Sequence, residues 1–287
     1  MTYNVEMKYD EDDGGWEGRD PALAIQSIIN ADPDIVGVQE DNDGWNSYLA
    51  GLTSKGYTRY HTAGNGTEYL DILYKTDRFT KITSGLKFYK KIADVYTNVP
   101  TNGADMSIDT SGEAGGIFGW GEDKGRMFSY VVLQDKTTGA KVLVVNTHLH
   151  YGSTASDATE HHLLREYQAR LLRAWLDEMK AQYPNQIVMG DLNADPAASG
   201  KAAVEELTKD DGLELSKHSA MLKGDNGGTL ASTSSYDRRD SYVFDHILAR
   251  NMTAVEYYVV NNMIDVDNTR YPSDHLPVVA RFVCSAE

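Results

Sequence analysis

Along this chain, short apolar runs with strand character end repeatedly in a polar side chain able to bind a metal or move a proton. Ile35-Val36-Gly37-Val38 runs out at Gln39-Glu40, residues 141–146 at Thr147-His148, and Ile187-Val188-Met189 at Gly190-Asp191. Thr2-Tyr3-Asn4, Phe244-Asp245-His246 and Ser273-Asp274-His275-Leu276-Pro277 repeat the layout. Further strands are predicted over 58–61, 69–74, 81–89, 127–133, 242–249, 254–260 and 278–283. Between them, Asp20-Pro21 reads as an N-cap with proline at the first helical position, followed by an apolar face of Leu23, Ala24, Ile28 and Ile29 that ends at Asp32-Pro33. Leu164, Tyr167, Leu171, Leu172, Trp175, Leu176 and Met179 recur at helical spacing and predict a helix over 159–182. Shorter helices are predicted over 44–54 and 197–209. The glycine-rich stretch 92–125 reads as a long loop, and 224–239 as a polar one. Strands with interspersed helices predict two mixed sheets packed face to face with helices outside. In open α/β sheets, strand ends are where sites gather.

The motifs are spread from the first residues to the last dozen, no Pro- or Ser-rich linker divides the chain, and no repeat is visible, so residues 1–287 read as one domain. The formal charge is −16, and residues 1–60 alone carry 12 Asp or Glu against 4 Lys or Arg. That balance argues against loose, charge-driven binding of nucleic acid, which needs basic residues to displace counterions from phosphates. It is compatible with divalent-cation binding, though its plain reading is solubility. The single cysteine, Cys284, excludes an internal disulfide or a cysteine zinc cluster and is expected to pack at the end of the last strand. Scarce cysteine, 18 tyrosines and high acidity suit a secreted or surface-attached bacterial protein, and a cytosolic enzyme can look the same. No 18-residue apolar run is present.

Taken in order, Thr2-Tyr3-Asn4, Val38-Gln39-Glu40, Asn146-Thr147-His148-Leu149, Gly190-Asp191-Leu192-Asn193, Phe244-Asp245-His246 and Ser273-Asp274-His275-Leu276-Pro277-Val278 resemble the endonuclease/exonuclease/phosphatase superfamily, from Thr2 to about Val283. The resemblance implies a four-layered α/β/β/α sandwich of two mixed β-sheets and a monomeric, metal-dependent phosphoric ester hydrolase. It also implies that Met1 is internal to a longer natural protein, because family members begin their first strand earlier.

Hydrolysis of a phosphate ester needs neutralised oxygens, an activated water in line, and help for the departing oxygen. Glu40 is a hard oxygen ligand suited to Mg²⁺ or Mn²⁺. By resemblance, Asn4 sits beside that metal, and Asp274 is a metal neighbour of Glu40. His148 and His275 are the two histidines of the family pattern; Glu68 would pair with His148 and Asp245 with His275. A carboxylate partner fixes the tautomer and raises the imidazole pKa. Asp191 and Asn193 would position the attacking water, the phosphate or a second metal. Arg126 stands where relatives often carry a phosphate-contacting arginine, and a solvent-facing strand-edge arginine is the plain alternative. His150, His161 and His162 cluster locally, but adjacent helical positions point apart, so a shared metal is not expected. His246 reads as structural.

The substrate is less legible. Ala194-Asp195 lacks the aromatic and basic pair expected of inositol polyphosphate 5-phosphatases. Asp41, Asn42 and Asp43 would place two negative charges at the rim and repel a DNA backbone. These departures favour a small or lipid-derived phosphate mono- or diester over nucleic acid. A basic strip formed by Lys87, Lys90, Lys91, Lys124, Arg126, Arg238 and Arg239 would revive the nuclease alternative. A membrane-damaging phosphodiesterase would want an exposed aromatic hairpin, for which Ile117-Phe118-Gly119-Trp120 is the only candidate. A non-catalytic binding protein would require a lost metal or histidine position, and none is lost.

Overall fold

The computed structural model describes residues 1–6, 20–62, 68–104, 125–150, 159–197, 201–232, 235–239, 241–261 and 272–284. Its strands are β1 (Thr2–Asn4), β2 (Ile35–Gln39), β3 (Tyr57–Tyr60), β4 (Ile72–Lys75), β5 (Phe79–Phe88), β6 (Met127–Asp135), β7 (Lys141–His148), β8 (Gln186–Asp191), β9 (Glu214–Leu215), β10 (Leu222–Lys223), β11 (Ala231–Ser232), β12 (Ser235–Arg239), β13 (Asp245–Arg250), β14 (Met252–Val259) and β15 (Val278–Cys284). The helices are α1 (Pro21–Ala31), α2 (Asn46–Gly51), α3 (Tyr89–Val95), α4 (Thr159–Met179), α5 (Ala202–Thr208) and α6 (Ser216–Ser219). One mixed sheet runs β10-β14-β15-β1-β2-β4-β3, the other β5-β6-β7-β8-β13-β9, and β11-β12 form a separate hairpin.

Period-2 alternation sorts side chains into layers. Val131, Leu133, Val142, Val144, Ile187 and Met189 face inward and meet Ile72, Tyr74, Tyr257, Val259 and Val278 of the opposite sheet. Their neighbours Phe128, Val132, Leu143, Val145 and Val188 face outward, where Leu164, Leu171, Leu172, Trp175 and Leu176 of α4 cover them. On the other outer face, Ala24 and Ile28 of α1 and Leu49 of α2 pack on Tyr3, Val36, Val38 and Leu73. The result is the four-layered sandwich of two mixed sheets. Asp20 caps α1 by accepting the Ala22 N–H at 2.9 Å, and Asp32 closes the helix in the left-handed region.

The inter-sheet core is not wholly apolar. The Asn146 amide of β7 donates to the carbonyls of Val38 at 2.7 Å and Asp71 at 3.1 Å, and accepts from Gln39 Nε2 of β2. Gly37 makes room for it, since a Cβ there would lie 2.9 Å from Asn146 Cγ and 2.8 Å from Met189 Cε. This buried polar tie fixes the two strand ends that carry Glu40 and His148 relative to one another.

Several local expectations are corrected. The predicted 69–74 strand starts only at Ile72, because the backbone of 69–71 bonds to Asp41 instead. The supposed loop beginning at 92 opens inside α3, whose buried Tyr89 and Ile92 anchor it; residues 105–124, including Phe118 and Trp120, lie outside the described residues. The polar loop 224–239 contains the β11-β12 hairpin. Cys284 ends β15, partly buried against the inter-sheet core. No helix among the described residues is long and apolar enough to cross a membrane.

Candidate active site

Parallel pairing of β1 with β2 and of β7 with β8 brings their carboxyl ends to one edge of the sandwich, and β13 adds its start by running antiparallel to β8. Asn4, Glu40, His148, Asp191 and Asp245 meet there. Asp191 is the hub. Its Oδ2 lies 3.5 Å from His148 Nε2 and 3.7 Å from His275 Nε2, and accepts the Asn4 amide at 3.1 Å, while Oδ1 accepts the Asn193 N–H at 2.8 Å. Asn4 Nδ2 also donates to Glu40 Oε1 at 2.9 Å, so one amide bridges two carboxylates from different sheets.

Each imidazole is backed by a buried carboxylate. His148 Nδ1 lies 2.8 Å from Glu68 Oε1, and His275 Nδ1 lies 2.8 Å from Asp245 Oδ2. Glu68 Oε1 also accepts the Glu40 N–H at 2.9 Å, and its Oε2 is 3.4 Å from Arg126 Nη1. The Asn193 amide lies 3.0 Å from His148 Nε2 and donates to the Leu149 carbonyl at 3.1 Å. Glu40 and Asn193 take left-handed backbone conformations, φ 59° and 48°, at the turns that aim them.

Electrostatics follow from this pairing. Burial disfavours charge on His275, but Asp245, Asp274 and Asp191 outweigh it and hold the imidazole well above its ordinary range. Burial and Arg126 also oppose charge on His148, yet Glu68 and Asp191 leave its pKa raised. Asp191 feels burial in the opposite sense; His275, His148, the Asn193 N–H and Asn4 together bring it below the usual carboxylate range. Glu68 is likewise lowered, by His148, Arg126 and the Glu40 N–H against its own burial. Burial pushes Asp245 up to about 6 despite His275. The edge therefore sets imidazoles whose protonated forms are favoured beside carboxylates whose charge the imidazoles support.

Donor atoms of Glu40, His148 and Asp191 lie within 4.8 Å of one another, as do those of Asp191, Asp245 and His275. Carboxylate oxygens beside an amide fit a hard divalent cation of the Mg²⁺ or Mn²⁺ kind. Asp274 is in neither group: half-buried, it receives the Ser273 hydroxyl at 3.4 Å, and its N–H donates to Glu6 Oε2 at 3.3 Å.

Other residues stand apart from the edge or support it. Arg126 is buried against Glu68 rather than solvent-facing. Asp41 is fully buried, which corrects its expected place at the rim; of that run, Asp43 is the exposed carboxylate. Lys87 lies over the Trp175 ring at 6.0 Å, while Lys124 and the side chains of Arg238 and Arg239 lie outside the described residues. His161 Nδ1 meets His150 Nε2 at 2.6 Å and His162 Nδ1 meets Arg165 at 2.8 Å, so the adjacent pair does face different partners. His246 is buried on the Ala194 carbonyl at 2.8 Å. Sequence reasoning missed Thr229, whose hydroxyl accepts the N–H groups of Phe244 and Asp245, and whose carbonyl accepts that of Leu276. It also missed Ser273, whose hydroxyl ties the His275 turn to the Asn4 carbonyl at 2.7 Å. A lone Thr in a polar loop carries no signal that could have found it.

The model of the endonuclease/exonuclease/phosphatase family matches residues 1–275. No curated relative matches. Among solved structures, the chain is similar to an endonuclease/exonuclease/phosphatase family protein of Bacteroides thetaiotaomicron, with TM-score 0.73, 21% identity, and 99% of this chain and 96% of that one covered. A mannosyl-6-phosphatase of the same organism has TM-score 0.71 and 22% identity, with 98% of each chain covered. The human Nocturnin catalytic domain has TM-score 0.62 and 16% identity over 99% of this chain and 93% of that one. With a family match spanning all but the last strand and an edge built from the same ordered motifs, the chain belongs to the endonuclease/exonuclease/phosphatase family.

Proposed function

We propose that this protein is a divalent-metal-dependent phosphoesterase that hydrolyses a phosphate mono- or diester with an activated water, on a small or lipid-derived substrate. The observation that carries this reading is the Asp191 carboxylate set between two imidazoles, 3.5 and 3.7 Å away, each oriented by its own buried carboxylate. Held by Glu40 and Asp191, the two carboxylates that the Asn4 amide bridges, a cation such as Mg²⁺ or Mn²⁺ would neutralise the phosphate oxygens. His275, whose pKa Asp245, Asp274 and Asp191 raise well above its ordinary value, donates from Nε2 to a phosphate oxygen or to the departing oxygen. His148 gives Nδ1–H to Glu68, which points Nε2 into the same space. Asp191, kept ionised, accepts a hydrogen bond from the attacking water, and Asn193 holds that water beside His148. With water as the attacking group, no covalent enzyme intermediate is expected.

The small substrate is favoured by the net charge of −16 and by the burial of Arg126, which removes it from any basic strip. The nuclease reading gains from one observation: buried Asp41 leaves Asp43 as the exposed charge where two had been expected to repel a nucleic-acid backbone. Hydrolysis of bis(p-nitrophenyl) phosphate, p-nitrophenyl phosphate and supercoiled plasmid with Mg²⁺ or Mn²⁺, beside Glu40→Ala and His275→Ala controls, separates the two. Turnover of a small ester without nicking supports the proposal. Nicking that vanishes in both variants makes the protein a nuclease, and no turnover of any of the three counts against a general phosphoesterase.

A further inference from the structure

Asp41 follows Glu40 directly, is completely buried, and has no role in the chemistry above. Its Oδ1 accepts the Leu70 N–H at 2.9 Å, its Oδ2 lies 3.4 Å from the Asp71 N–H, and its backbone carbonyl accepts the Tyr69 N–H at 2.9 Å. Flanking bonds extend the pattern: the Glu40 N–H donates to Glu68 Oε1 at 2.9 Å and the Val38 N–H to the Asp71 carbonyl at 3.0 Å. Residues 68 to 71 are thus each bonded to the segment 38 to 41. Within this seam Glu40 and Leu70 hold φ values of 59° and 55°, which ordinary side chains adopt only when the surroundings enforce them. The far side is anchored too, because Asp71 accepts the Thr62 N–H at 3.1 Å and pairs with the Arg59 guanidinium, which in turn donates to Asn46 Oδ1 at 2.8 Å.

These bonds lie behind the site rather than in it, yet both residues they aim belong to it. Glu40 is a metal-ligand candidate, and Glu68 orients His148. We propose that Asp41 is a positioning residue, clamping Tyr69-Leu70-Asp71 to the end of β2 so that Glu68 stays against His148 and Glu40 keeps its pose. The carboxylate has the length for this: one side chain serves two successive N–H groups while its own carbonyl serves a third. The catalytic consequence rests on the phosphoesterase reading; the structural one does not.

The test reads the Glu68–His148 hydrogen bond directly, as the downfield proton resonance of His148 Nδ1–H, assigned by its loss in Glu68→Ala. The His275–Asp245 resonance, whose residues lie outside the clamp, is the internal reference. In Asp41→Ala the His148 resonance should disappear while that of His275 remains. With the ester substrates, kcat should fall roughly tenfold to a hundredfold at nearly constant KM, the range expected when a positioned group moves by about 1 Å. Asp41→Asn, which keeps an acceptor for the Leu70 N–H, should retain the resonance and most of kcat. A folded Asp41→Ala that keeps both resonances and a kcat within a factor of two overturns the proposal. Should Asp41→Ala not fold, amide exchange of the unmodified protein in mild denaturant decides. Leu70 N–H exchange and loss of the His148 resonance should then occur in one opening, before the His275 resonance is lost; a His148 resonance that outlives Leu70 protection overturns the clamp. A protein that hydrolyses none of the esters but loses the His148 resonance in Asp41→Ala refutes the phosphoesterase reading and leaves the clamp standing.

Discussion

Gly190 precedes Asp191 in the centre of the six-stranded sheet, paired with Thr147 of β7 on one side and His246 of β13 on the other. Its φ is 156°, and a Cβ added to it would sit 1.9 Å from the Thr147 carbonyl oxygen. Ordinary contact begins at 3.4 Å, so Gly190→Ala requires β7 and β8 to part locally by the difference, 1.5 Å. The backbone conformation costs about 1–3 kcal/mol for a residue with a side chain. Stretching the adjoining ladder bonds adds about 1 kcal/mol each. A total of about 4 kcal/mol corresponds to a fall in Tm of roughly 7 °C for a protein of this size. Because Asp191 is the next residue and bonds Asn4 and Asn193, the displacement reaches the hub of the site, and kcat should fall by about 10²-fold. Calorimetry together with hydrolysis of bis(p-nitrophenyl) phosphate measures both. A Gly190→Ala variant whose Tm stays within about 2 °C of the parent and whose rate is unchanged would refute the reasoning, since the strands would then have absorbed the methyl without moving.

Asn146→Ala removes the polar tie between the sheets and leaves the Gln39 amide unmatched, so urea unfolding should show a loss of about 3 kcal/mol; a loss under about 1 kcal/mol would mean that the sheets are held by apolar packing alone. Asp245→Asn removes the nearest charge holding His275 protonated, so the His275 pKa read by NMR should fall and kcat should drop roughly a hundredfold; an unmoved titration would mean that Asp191 and Asp274 suffice.

Apolar runs and the polar residues ending them were enough to place β1, β2, β7, β8 and the long α4, with Asn4, Glu40, His148 and Asp191 at strand ends, whereas Asp245 opens β13, a strand expected to start at 242, and His275 lies in the turn before β15. A strand's inner and outer faces are written in alternate residues, and a strand end is written where the alternation stops, so both are local properties. What converges at those ends is not local. Asp191 lies between two histidines because parallel β7-β8 pairing sets His148 beside it, while antiparallel β8-β13 pairing sets Asp245 beside it and Asp245 holds His275. Charge alone put Asp41 at the surface, whereas the N–H groups of Leu70 and Asp71, which only the folded chain presents to it, make a buried carboxyl tolerable there. Arg126 could be read as a phosphate ligand or a strand-edge cation until the tertiary structure set it, buried, behind Glu68. Thr229 and Ser273 act through backbone groups of distant segments, and no residue type or spacing announces such a partner. The sequence by itself determined which side chains stand at strand ends; the packing of the two sheets decided which of them share a charge, which are hidden, and which are held in place by others.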